Sequence, residues 1–148
     1  ENINFNLITN KFEKDDFDKN VNLLNGSWVD NKITDEEIKD YYHNADLTII
    51  HLIETLQPSG QSVALQSIAC GTPVLITRTS GFWDTSKFKN KENIIFFEKN
   101  DTDQWLNQIE TIYKDKNLLL TIRENGLKTV ESNYSLNTFY KNLKNHLE

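Results

Sequence analysis

Leu47-Thr48-Ile49-Ile50-His51-Leu52, then Pro58-Ser59-Gly60-Gln61-Ser62-Val63-Ala64-Leu65-Gln66-Ser67-Ile68-Ala69-Cys70-Gly71, then Thr72-Pro73-Val74-Leu75-Ile76-Thr77: these three consecutive runs decide the fold. The first and last are continuous apolar stretches rather than alternating ones, as strands buried on both faces should be. Between them, Pro-Ser-Gly makes a tight turn, and residues 62–70 carry Val63, Leu65, Ile68 and Ala69 at helical positions. Gly71 followed by Pro73 is the expected helix exit. The unit therefore reads strand, helix, strand.

Working outward, three more runs have strand character: residues 3–9, 21–24 and 94–97. A helix is expected over 35–44, opened by Thr34 with Glu37 three residues on, which is a capping-box pattern. After the last strand the chain turns helical to its end, over 104–114, about 117–132, and from Ser135 onward. Strands alternating with helices predict an α/β fold: a three-layer, doubly wound domain of about five parallel strands in the order 2-1-3-4-5. No repeat or linker breaks the sequence, so residues 1–148 read as one domain.

Composition narrows the classes. Aliphatic and aromatic residues make up 37% and charged residues 26%, ordinary for a globular domain. The net charge of −6 argues against a nucleic-acid partner, which would need an excess of Lys and Arg. A single cysteine, Cys70, excludes an internal disulfide and fits a reducing compartment. No apolar run has membrane-spanning length, so the expected location is the cytoplasm, with peripheral membrane attachment of a longer protein as an option. The chain has no Met and opens directly on strand-type residues, so it is expected to be part of something longer.

In a doubly wound sheet, ligands bind beyond the carboxyl ends of the strands, near the switch point. That places interest on the loop after the third strand, Glu54-Thr55-Leu56-Gln57-Pro58-Ser59-Gly60, and the helix that follows at Gln61 or Ser62. The first N–H groups of a helix lack internal partners, and with the positive end of its dipole they make an anion site. Gly60 allows close backbone approach, Ser59 and Ser62 add hydroxyls, and Gln66 sits one turn beyond Ser62 on the same face. The competing account is a plain turn with Ser59 as its N-cap. Local sequence leaves both open.

The run Ala45-Asp46-Leu47 followed by Ser59 through Leu75 resembles the donor-site core of the retaining family-four glycosyltransferases, and Ala69-Cys70-Gly71-Thr72-Pro73-Val74 matches that family's pattern residue for residue. Residues 21–26 and 38–47, with Tyr41 or Tyr42 at a tyrosine position, resemble its upstream segments. Thr77 to Gly81 and Tyr134-Ser135-Leu136 resemble its downstream ones. The likeness implies half of a GT-B fold, a Rossmann-like C-terminal domain holding a nucleotide-diphosphate sugar. No metal or other cofactor is implied, and transfer would retain the anomeric configuration. A glycan or lipid-linked glycan acceptor would be held by a second domain absent from this chain. By position, the backbone of Ser62 and Val63 should face the phosphates and backbone near residues 27–29 should border the base.

Departures from the pattern fall at the site itself. Where the family carries two glutamates eight positions apart, this chain has Pro58 and Gln66. Gln66 can still hydrogen-bond ribose hydroxyls, whereas Pro58 has no polar side chain and Glu54 is the nearby carboxylate that would have to substitute. The family's first strand and helix, with an Arg and a Lys for the diphosphate, have no counterpart. A degenerate, non-catalytic binding module is therefore the alternative.

Other residues divide between binding and structure. Trp28 either flanks a base or packs; Arg78, after the fourth strand, either meets a phosphate or is a solvated cation. Gly81-Phe82-Trp83-Asp84 either contacts an acceptor or the absent domain, or joins the core, and His43 and His51 lack metal-ligand spacing. A receiver domain is excluded because no Asp ends the third strand, and a dinucleotide oxidoreductase because no G-x-G-x-x-G follows the first.

Overall fold

The computed structural model describes residues 3–9, 11, 17–25, 33–97 and 102–147. In chain order the elements are β1 (Phe5–Thr9), β2 (Val21–Asn25), α1 (Asp35–His43), β3 (Thr48–Ile50), α2 (Gln61–Ala69), β4 (Val74–Thr77), β5 (Ile95–Phe97), α3 (Thr102–Lys114), α4 (Lys116–Tyr134) and α5 (Leu136–Leu147). Two compact units are formed, residues 1–41 and 42–148.

In the first unit, β1 and β2 pair in parallel, with Phe5 opposite Val21 and Thr9 opposite Asn25. The start of α1 carries the capping box the sequence predicts. The Thr34 hydroxyl accepts from the Glu37 amide at 3.2 Å, and the Glu37 carboxylate accepts from the Thr34 amide at 2.8 Å. The Thr34 amide, and next the Thr34 hydroxyl that donates to the same carboxylate at 2.9 Å, favour the charged form and hold the Glu37 carboxyl below the usual range.

The second unit carries the sheet β3-β4-β5, all parallel, with Thr48 opposite Val74 and Leu75 opposite Ile95. Every residue of β4 and β5 is buried. Alternation sends Val74, Ile76, Ile94 and Phe96 to one face, where they meet Ala64 and Ile68 of α2 and Val130 of α4. Leu75, Ile95 and Phe97 go to the other face, against Trp105 and Ile112 of α3 and Leu119 and Ile122 of α4. Apolar runs without alternation thus mean what they should: a sheet sandwiched between helices, with a parallel α/β/α layering. The ladders form two sheets, one per unit, in the neighbour orders 2-1 and 3-4-5.

The two ends of α2 are set by glycines. At its close, the Gly71 amide donates to Ile68 O and the Thr72 amide to Ser67 O, with Gly71 at φ +78°; this is a Schellman stop. At its start, Gly60 takes φ +73° and acts as the cap, with no side chain capping the helix. Ser59 therefore does not serve as the N-cap. On the buried side of α2, Ser67 is fully buried, and its hydroxyl bonds Thr48 Oγ1 at 2.8 Å and Thr72 O at 3.3 Å, tying the helix to β3 and to the turn that leads into β4.

Candidate functional site at the start of helix α2

The turn after β3 brings the chain to α2 directly over the carboxyl ends of β3 and β4. A Cβ on Gly60 would lie 3.0 Å from Ile50 Cγ2, 3.2 Å from Ile76 Cδ1 and 3.3 Å from Leu52 Cδ1. A side chain is excluded twice, by φ and by space. The first helical bond runs from the Ala64 amide to Gly60 O at 2.9 Å. The amides of Gln61, Ser62 and Val63 precede it, and among the described residues nothing is bonded to them. Ser62 and Val63 are exposed, Ser59, Gly60 and Gln61 half-buried. Three unpartnered N–H groups, the positive end of a helix and two serine hydroxyls are thus gathered at one place.

Gln66 is exposed, one turn along α2 from Ser62. Arg78 follows β4; its amide donates to Phe97 O at 2.8 Å, and its guanidinium stands 5.5 Å from the centroid of the Phe96 ring. Trp28 and residues 27–29 lie outside the described residues. The aromatic pair after Gly81 resolves to packing: Phe82 and Trp83 lie against the core face holding Phe88 and Phe96, with Phe82 edge-on to Phe96 at 4.8 Å. His51 is exposed and edge-on to Trp105 at 5.1 Å. Among the described residues no group of three metal-ligating side chains comes together.

Sequence reasoning missed how the loops around α2 are joined. The Leu52 amide donates to Thr77 Oγ1 at 2.9 Å, the Ser80 amide to Glu54 Oε1 at 2.8 Å, and the Gly81 amide to Thr55 O at 2.9 Å. The Ser80 amide holds the Glu54 carboxyl below the usual carboxylate range, so it stays ionised. Farther along, Asp84 accepts from the Tyr134 hydroxyl at 2.6 Å and from the Ser86 and Lys87 amides at 3.0 and 3.1 Å. Burial pushes the Asp84 carboxyl up, but these bonds outweigh it and leave it below its ordinary value. Burial, and next the Asp84 carboxylate, push the Tyr134 phenol well up. Two concavities of this unit lie away from the α2 start: a groove of about 410 Å³ beside α5, lined by Tyr134, Phe139 and Leu143, and one of about 280 Å³ lined by Gly71, Lys116 and Arg123.

A parallel sheet with an unpartnered helix start over its carboxyl edge is an anion-binding design used by many families, so the pattern of residues has to choose among them. Residues 10–129 match the family model for glycosyl transferases group 1. The chain belongs to that family. Among solved structures it resembles the C-terminal domain of a glycosyl transferase group 1 family protein, LpcC, from Francisella tularensis, at 20% identity and a TM-score of 0.62, over 80% of this chain and 56% of that one. HepE from Anabaena, solved in complex with UDP, is similar at 19% identity and a TM-score of 0.68, over 86% of this chain and 32% of HepE. Sucrose-phosphate synthase from Thermosynechococcus elongatus is similar at 21% and 0.65, over 86% of this chain and 30% of the synthase. No curated protein matches.

The glycosyltransferase domain thus has the Rossmann-like fold of the C-terminal half of GT-B enzymes, and it spans about half of the first of these structures and a third of the others. No helix among its described residues is long and apolar enough to cross a membrane.

Proposed function

We propose that this glycosyltransferase domain binds the nucleotide-diphosphate sugar donor at the start of α2 and, within a longer protein, serves transfer of the sugar to a glycan or lipid-linked glycan acceptor with retained anomeric configuration. The observation that carries the reading is the unpartnered set of amides at Gln61, Ser62 and Val63, delivered over the sheet by Gly60. HepE, a relative in fold, is seen with UDP and with UDP-glucose. The amides of Ser62 and Val63 face the diphosphate, the Ser59 and Ser62 hydroxyls and Arg78 add donors, and Gln66 bonds the ribose. Trp28 is assigned to the base.

In transfer, the bond between the anomeric carbon and the diphosphate breaks, and negative charge grows on the leaving phosphate. Fixed N–H dipoles at a helix start stabilise that charge without reorganising, which is electrostatic catalysis without a metal. A second reading, a nucleotide-binding module without transfer, is favoured by Pro58, which leaves no side chain for the sugar's hydroxyls at that position.

The test is calorimetric titration with a panel of nucleoside diphosphates and their sugars. Binding of at least one is expected, and Gln66→Ala should weaken it by about 1–2 kcal/mol, roughly five- to thirtyfold. Silence across the panel removes the donor site. Binding without turnover by any donor in the full-length protein selects the second reading.

A further inference from the structure

The loop that leads into α2 is not held by its apolar side chains. Its two large apolar residues, Ile53 and Leu56, are 79% and 85% exposed. Nothing hydrophobic therefore anchors residues 53–57, and yet their backbone must deliver Gly60 so close over the sheet that a Cβ there would stand only 3.0–3.3 Å from side-chain carbons of Ile50, Leu52 and Ile76. The restraint comes from the last residue of β4 and the segment after it. Three hydrogen bonds cross between the loops: Leu52 amide to Thr77 Oγ1, Ser80 amide to Glu54 Oε1, and Gly81 amide to Thr55 O. Beside them the backbones touch so closely that a Cβ on Gly81 would stand 2.4 Å from Leu56 C and 2.6 Å from Gln57 O. Further bonds pass the restraint toward α2, from the Gln57 amide to Thr55 Oγ1 at 3.0 Å and from the Ser59 amide to Gln57 O at 2.8 Å.

We propose that residues 77–81 form a clamp that sets the position of the α2 start, with Gly81 and Glu54 as its positioning residues for the diphosphate. This rests on the donor reading above. Gly81 permits the approach by having no side chain. Glu54 ties the loop through one carboxylate oxygen, acting on Ser80 and not on the ligand. The loss of polarity at Pro58 is thus separate from the task of Glu54, which is to fix backbone geometry.

The test compares Glu54→Ala, Glu54→Gln and Gly81→Ala in the full chain, with UDP as the calorimetric probe and amide hydrogen exchange read across residues 51–63. Glu54 is exposed, so Glu54→Ala should fold, with its unfolding midpoint lowered by no more than about 5 °C. It should speed exchange over 51–63 and weaken UDP about three- to tenfold, the effect of one hydrogen bond. Glu54→Gln keeps an acceptor for the Ser80 amide and should restore both to within about twofold. Gly81→Ala should weaken UDP by at least tenfold; if it fails to fold, the Glu54 pair still decides. Unchanged exchange and UDP affinity in Glu54→Ala overturn the clamp. Equal losses in Glu54→Gln and Glu54→Ala also overturn it, because they would place the carboxylate on the ligand. If the wild-type chain takes up no UDP, the nucleoside diphosphate that the panel selects replaces it as probe; silence across the whole panel counts against the donor reading itself, while exchange still judges the clamp.

Discussion

Gly60→Ala and Gly71→Ala, compared side by side, test the geometry on which the site depends. Both glycines sit in the left-handed region, at φ +73° and +78°, so each alanine meets the same backbone penalty of about 1–2 kcal/mol. Both also gain about 0.4–1 kcal/mol from a stiffer unfolded chain. Space separates them. The new methyl at position 71 finds Arg123 Nε at 3.4 Å, an ordinary contact with a flexible side chain. At position 60 it finds three aliphatic carbons between 3.0 and 3.3 Å, and two of these belong to the buried Ile50 and Ile76, which have nowhere to retreat.

Overpacking of that kind costs about 1–3 kcal/mol more. The expected losses are therefore about 2–4 kcal/mol for Gly60→Ala and about 0.5–1.5 kcal/mol for Gly71→Ala. For a chain of this length those correspond to roughly 5–15 °C and 1–5 °C in unfolding midpoint. Thermal unfolding followed by circular dichroism, with urea titration as a check, reads both. Equal midpoints for the two variants would refute the reasoning, because they would mean that Gly60 is not wedged over β3 and β4.

Other expectations are simpler. Tyr134→Phe keeps the ring stacked on Phe88 but removes the hydroxyl that donates to Asp84, so it should lose about 1.5 kcal/mol in a urea titration at neutral pH. Because the folded chain holds the Asp84 carboxyl below its ordinary value, that group's contribution is whole above about pH 4 and drains away as the pH falls through the depressed value. Asp84→Asn should therefore flatten the acid limb of the stability curve; an unchanged limb would deny the carboxylate its role. Ser67→Ala leaves the Thr48 hydroxyl and Thr72 carbonyl without their buried partner and should cost about 1–2 kcal/mol with no effect on nucleotide affinity, measured by unfolding and calorimetry together.

What could be read from the sequence was whatever is fixed by neighbours in sequence. The capping box at Thr34 and Glu37, the Schellman stop at Gly71 and the buried runs of β4 and β5 each follow from residues a few positions apart. The start of α2 at Gln61 was readable for the same reason. What stayed hidden needs the sheet to be assembled first. The strand expected over 47–52 is shortened to Thr48–Ile50 because the Leu52 amide turns to the Thr77 side chain instead of a ladder carbonyl. The Glu54–Ser80 tie spans 26 residues of sequence, and the Gly81 contact joins two loops with no common pattern. Phe82 and Trp83 were ambiguous because an aromatic pair reads alike in a core and on a contact surface; packing against Phe88 and Phe96 decides for the core. Trp28 lies outside the described residues.

The departures at Pro58 and Gln66 bear differently on the two parts of a sugar nucleotide. A diphosphate is held by backbone amides, and these depend only on the turn that aims them. Any sequence that keeps Gly60 left-handed and α2 uncapped presents the same three donors. A sugar's hydroxyls, by contrast, are distinguished by side chains, where one missing partner for a hydroxyl can shift selectivity by orders of magnitude. On the proposed reading, then, a proline at position 58 leaves the phosphate site intact and changes which sugar is accepted. Affinity for a nucleoside diphosphate should accordingly exceed, or equal, affinity for any of its sugars. If one nucleotide sugar binds at least tenfold more tightly than its parent diphosphate, side chains elsewhere are reading the sugar, and this division between backbone and side chain fails.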